Sequence, residues 1–140
     1  MEEQIVNRVL SSKLITIDLE EYFEKSDKEV YDIADQLFQG LILREKDFRK
    51  HIKENNWSRY EGQNVAIMCS VDAIIPTWAY MLVAANMRPY AKEIVFGTSE
   101  DLDKYLIQKN IATIDGPSFD NSKVVIKGCG DMNLSEFAYV

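Results

Sequence analysis

Two thiols and two carboxylates are the residues of this sequence whose types and spacing could do chemistry. Cys69 is followed three positions on by Asp72, and Cys129 two positions on by Asp131, each pair at the exit of a short apolar run. Ser70 stands beside the first thiol. A thiolate near a helix N-terminus is a better nucleophile and a better soft-metal ligand, because unsatisfied backbone N–H groups there favour negative charge. Three readings follow. Cys69 and Cys129 could supply half of a soft-metal or iron–sulfur ligand set, with a carboxylate or a partner chain completing it. Cys69 could be a nucleophile, or the two thiols a reversible disulfide. A nucleophile needs a base, and the one histidine, His51, falls on a charged helix with no evident route to it. The loops could also serve a scaffold or adaptor that binds another protein or a second copy of the chain. Against all three stands a structural account: a cysteine closing an apolar strand usually packs in the core. Ser70, Asp72 and Asp131 are also residue types that cap helices and close loops.

Holding these residues in place is the work of strands and helices. Val65–Cys69 is short, β-branched and apolar on both faces, as a strand covered on both sides must be. Pro76 suits a helix start. After it Trp78, Met81, Leu82 and Ala85 recur at helical spacing while other faces are apolar too, so this helix is expected to be largely buried. Pro89 ends it near Met87 or Arg88. Glu93–Phe96 is a second strand closed by Gly97, and Asn64–Gly97 is therefore one βαβ unit with parallel strands. Before it come strands at Leu14–Ile17 and Val30–Ile33, a helical turn capped by Asp18, and a helix over Arg44–Asn55 with Phe48 and Ile52 on its inner stripe. After it, Thr98 and Asp101 have capping-box spacing ahead of a helix using Leu102, Tyr105 and Leu106. Val124–Lys127 is the last strand.

The pattern recurs. A shift of fifty-nine residues brings Val65 onto Val124, Ile67 onto Ile126, Asp72 onto Asp131, Ala79 onto Ala138 and Tyr80 onto Tyr139. Both copies read helix, aromatic-bearing loop, strand, polar loop, helix. The second copy stops at Val140, partway through its last helix, so either the chain is cut short there or it dispenses with the final helix and strand. The expected fold is α/β, a mostly parallel central sheet with helices packed on it, built from a βαβ unit and a partial internal repeat. It forms one domain: an N-terminal extended segment over 1–40, repeat unit one over 41–97, and incomplete repeat unit two over 98–140.

Composition bounds the function. At 140 residues, 46% hydrophobic and 28% charged, the chain is composed like one soluble globular domain large enough to fold without metal or disulfides. A net charge of −7 disfavours a broad nucleic-acid or anionic-membrane face. Acids at Glu2 and Glu3 replace the basic start of a signal peptide, and no apolar run is long enough to span a bilayer, which points to the cytoplasm. Arg44, Lys46, Arg49, Lys50 and Lys53, near Trp57, Arg59 and Tyr60, could track a single strand. Interleaved Glu45, Asp47 and Glu54 make a solvated, self-paired helix face the better account. No phosphate-binding glycine loop, HExxH, CxxC or GxSxG occurs.

The run CSVDAIIPTWAYML (Cys69–Leu82), with GLILREKDFR (Gly40–Arg49), VVIKGC (Val124–Cys129) and AYV (Ala138–Val140), resembles a bacterial family catalogued as domain of unknown function 2480. The resemblance covers essentially the whole chain. It implies no established activity, and an association with iron–sulfur cluster assembly. Members run further, to a tail containing a Cys-Ser pair that this chain lacks. The reading that follows is a cytoplasmic accessory or binding module, possible ligands or redox groups being Cys69, Ser70, Asp72, Cys129 and Asp131. A small cysteine-dependent enzyme or thiol redox protein centred on Cys69 is the alternative.

Overall fold

Val65, Ala66 and Ile67 are buried because their strand has a parallel neighbour on each side. In the computed structural model, which describes residues 13–128, 130 and 136–140, this strand is β3 (Asn64–Met68). β2 (Lys28–Asp32) pairs with it so that Tyr31 lies opposite Ile67 and Asp32 opposite Met68. β4 (Glu93–Phe96) pairs on the other side, with Phe96 opposite Ile67. A strand hydrogen-bonded on both edges and covered on both faces has no place for alternating polar residues, hence its continuous apolar run.

Two helices cover this sheet. α1 (Glu45–Glu54) buries Phe48 and Ile52, four residues apart, and leaves its charged face outside, where Arg49 pairs with Glu45 at 2.8 Å. α2 (Thr77–Met87) connects β3 to β4 and buries Ala79, Val83 and Met87. The sequence pointed to the Trp78, Met81, Leu82 and Ala85 stripe instead, and the structure corrects the phase: Met81 is 70% exposed. A helix apolar on nearly every face leaves its rotation to be set by packing, and small Ala79 lets its backbone approach closely. Tyr31, Ile33, Phe48, Ile52, Trp57, Val65 and Val83 belong to one core. Tyr31 stacks on Trp57 at 5.7 Å between centroids, and Phe48 meets the edge of Trp78 at 5.9 Å. The Trp57 indole N–H donates to the Ile52 carbonyl at 2.8 Å, so this buried ring carries no unpaired donor.

α3 (Ser99–Ile111) opens on the expected capping box. The Thr98 N–H donates to Asp101 Oδ2 at 2.8 Å, and the Asp101 N–H donates to Thr98 Oγ1 at 3.2 Å. Gly97 turns the chain from β4 into this box at a φ of +136°, and a Cβ there would come within 2.5 Å of the Asp101 carboxylate. Only glycine fits both demands.

Residues 25–105 form one compact unit; a second comprises the described residues of 13–24 and those from 106 on, the end of α3 among them. In the second, β1 (Ile15–Asp18) pairs in parallel with β5 (Val124–Lys127), Ile15 opposite Val124. Asp18 accepts from the Glu20 N–H at 3.1 Å and starts a 3-10 turn over Leu19–Tyr22, as its position ahead of LEEYFE predicts. Leu19, Ile107 and Ala138 form a small core. The class is mixed α/β with parallel sheets and helices packed on them, and the strands are divided between a three-stranded and a two-stranded sheet. No described helix is long and apolar enough to cross a membrane.

Candidate ligand-binding site

Open parallel sheets keep ligand sites at the carboxyl ends of their strands. At that end of β2, Asp32 does two jobs with one oxygen. Its Oδ1 accepts from the Ala34 N–H at 2.9 Å, capping the 3-10 turn Ile33–Gln36, and from the Ser70 N–H at 3.0 Å, across the sheet. Partial burial pushes the pKa of the Asp32 carboxyl up; hydrogen bonds from the Ser70 side chain and from the Ala34 and Ser70 backbones outweigh it and hold that pKa below the ordinary carboxylate range. Asp32 was not among the residues singled out in the sequence. The sequence predicts a strand running through it to Ile33, whereas β2 ends at Asp32 and the same Asp-then-turn pattern seen at Asp18 begins there.

Cys69 and Ser70 lead out of β3. Cys69 is half-buried, and its thiol donates to the Val71 carbonyl at 3.5 Å, the same carbonyl that accepts the Ala73 N–H at 2.9 Å. The thiol thus spends its proton on its own loop, a contact the thiolate cannot make. Asp72 is exposed, and α2 begins only at Thr77, behind Pro76, with no side-chain cap. Neither Ser70 nor Asp72 caps it. The loop is longer than the sequence suggested, and Ile75, ahead of proline, stays outside the helix. Tyr80, one turn into α2, leans over the strand ends with its ring edge-on to Phe96 at 5.2 Å. Burial, and then the neighbouring Cys69 and Asp32, raise its hydroxyl above the ordinary tyrosine value, so it remains a donor at neutral pH. Cys129 and Asp131 lie outside the described residues. Among the described residues no group of three or more His, Cys, Asp or Glu side chains could hold a metal.

His51 belongs to a different place. Its Nε2 is 2.9 Å from the hydroxyl of Tyr31, whose ring packs against those of Trp57 and Tyr60. Desolvation lowers its pKa, with Glu54 opposing in part. A histidine whose folded pKa is depressed stabilises the fold fully above its unfolded value, near about 6.5, and loses that contribution as pH falls through the lower folded value. The thermal midpoint should therefore drop between about pH 7 and 5 more steeply in the native chain than in His51→Gln. Parallel profiles over that window would contradict this assignment. The basic helix face behaves as a self-paired surface at Arg49, whose guanidinium pairs with Glu45 and lies 5.0 Å from the centre of the Trp78 ring.

Fold and site together define an α/β protein with parallel sheets and a buttressed strand-end loop that carries one described thiol. The chain belongs to the family described as "Protein of unknown function (DUF2480)", which it matches over residues 3–140. No curated protein and no solved structure matches it.

Proposed function

We propose that the chain is a non-enzymatic accessory protein of the cytoplasm that binds another protein through the face at the carboxyl ends of β2, β3 and β4. One observation carries this reading: the loop held by Asp32 and the elements on either side of it carry large apolar side chains that are exposed. Ile74 in that loop is 94% exposed, Phe96 at the end of β4 71%, and Met81 on α2 is exposed as well. Exposed apolar groups clustered where the backbone is pinned are the ordinary makings of an interface. The rival reading, thiol chemistry at Cys69, is less well supported, since the one histidine is hydrogen-bonded to Tyr31 and the thiol to its own loop.

A role in iron–sulfur cluster assembly enters this proposal only as that of an accessory, with the cluster carried by the partner. The same proposal takes the two units as copies of one motif. In each, a strand ending in an aspartate that caps a 3-10 turn pairs with a strand preceded by another 3-10 turn, Trp57–Tyr60 in one and Gly116–Phe119 in the other. Those two turns are separated by the fifty-nine residues of the sequence match.

A photo-crosslinking amino acid at position 74, in cells that produce the chain, tests the interface. One discrete adduct is expected, lost in Phe96→Asp and in Met81→Asp while their thermal midpoints hold. An adduct of twice the chain's mass would make the partner a second copy. No adduct, or one indifferent to both variants, would count against the reading.

A further inference from the structure

A second site adjoins the strand-end face and shares Asp32 with it. The last residues of β2, the following 3-10 turn, the end of α1 and the Trp57–Tyr60 turn line an open polar cavity of about 190 Å³. Its lining includes Tyr31, Asp35, His51, Asn55, Arg59 and Tyr60. Drug-sized ligands occupy pockets of about 300–1,000 Å³, so this one suits something smaller.

Its chemistry is two-ended. Asn55 closes α1, and its side-chain Nδ2 is buried with no hydrogen-bond partner among the described residues. A buried donor of this kind calls for an acceptor. Arg59 adds a guanidinium, whose carbon lies 5.1 Å from the centre of the Tyr60 ring. Asp35 supplies the opposite charge, close enough to Tyr31 to help hold that hydroxyl protonated. Neither Asp35 nor Arg59 is tied into an ion pair among the described residues. The Tyr31–His51 hydrogen bond makes a fixed wall whose imidazole is neutral at pH 7, because desolvation lowers its pKa. A plain anion here would meet Asp35 and Asp32, and a plain cation would meet Arg59.

We infer that this cavity binds a small zwitterion of the α-amino-acid type, its carboxylate taken by Arg59 and the Asn55 amide and its ammonium by Asp35. Bidentate guanidinium–carboxylate contact and a carboxylate–ammonium pair are the strong interactions available to such a ligand. The inference does not rest on the protein-binding reading, although Asp32 lines this site and also holds the strand-end loop.

Isothermal titration of the full chain decides it, with glycine, L-serine, L-glutamine and L-glutamate as probes and acetate and methylamine as half-ligands. At least one amino acid should bind saturably with a Kd below about 1 mM, and neither half-ligand should. Arg59→Gln and Asp35→Asn should each weaken that binding at least about tenfold. Both side chains are exposed, so the thermal midpoints should stay put. Absence of binding by all four amino acids would overturn the inference, as would acetate binding equally well or affinities unchanged in both variants.

Discussion

Phe48→Ala should cost about 3–5 kcal/mol of stability, among the largest losses expected of a single substitution at the described residues. Phe48 is fully buried on α1 and meets Trp78 of α2 edge-on, so its ring joins two helices to the same sheet. Removing it forfeits the transfer free energy of the ring and leaves a cavity that Ile52 and Val83, both already packed, are poorly placed to fill. Native domains carry only about 5–15 kcal/mol in all, so the variant should be close to unfolding at physiological temperature. Denaturant titration followed by tryptophan fluorescence reads the change directly. Leu41→Ala, at a side chain 64% exposed, is the control and should move stability by less than about 0.5 kcal/mol. A loss at Phe48 below about 1.5 kcal/mol would mean the core described for residues 25–105 is wrong at its centre.

Asp32→Ala should cost about 1–3 kcal/mol and free the loop that leaves β3. The substitution strips the cap from the turn at Ile33 and leaves the Ser70 N–H without its carboxylate. Amide exchange at Ser70 should quicken at least about tenfold, while Val65 and Ile67, inside the sheet, should hardly change. Asp32→Asn keeps an acceptor oxygen and should lose less. The pH dependence follows from the direction of the Asp32 shift: its carboxyl is more acidic folded than unfolded. Its contribution is therefore complete above the unfolded value, near about 3.9, and disappears as pH falls through the folded one. The gap between the native chain and Asp32→Ala should narrow below about pH 4. Unchanged Ser70 exchange would remove the buttress from the account.

The βαβ unit was legible because its constraints are local. A doubly covered strand has to be apolar throughout, as Val65–Ile67 is, and Pro76, Pro89 and Gly97 punctuate the elements by their own backbone restrictions. The Thr98–Asp101 box was legible for the same reason, since both partners lie within one turn. What escaped depended on contacts distant in the chain. Nothing near α2 says which of its apolar faces turns inward; the sheet decides that. Asp32 looked like a residue inside a strand, and its bond to Ser70, thirty-eight positions away, has no local signature. The Tyr31–His51 pair is hidden likewise, because a lone histidine among lysines and acids reads as surface until β2 is laid against α1. Cys69 was singled out for its type, and its hydrogen bond to Val71 became visible only with the loop's path.

On the function proposed above, the strand-end loop is a presenting surface and not a reaction centre, and the rate of Cys69 alkylation tests this most directly. In a Cys129→Ser background, iodoacetamide at neutral pH should modify Cys69 no faster than a small free thiol, and Asp32→Ala should speed it by loosening the loop. A native-loop rate well above that of the free thiol, falling when Asp32 is removed, would instead mark an activated nucleophile and contradict the account.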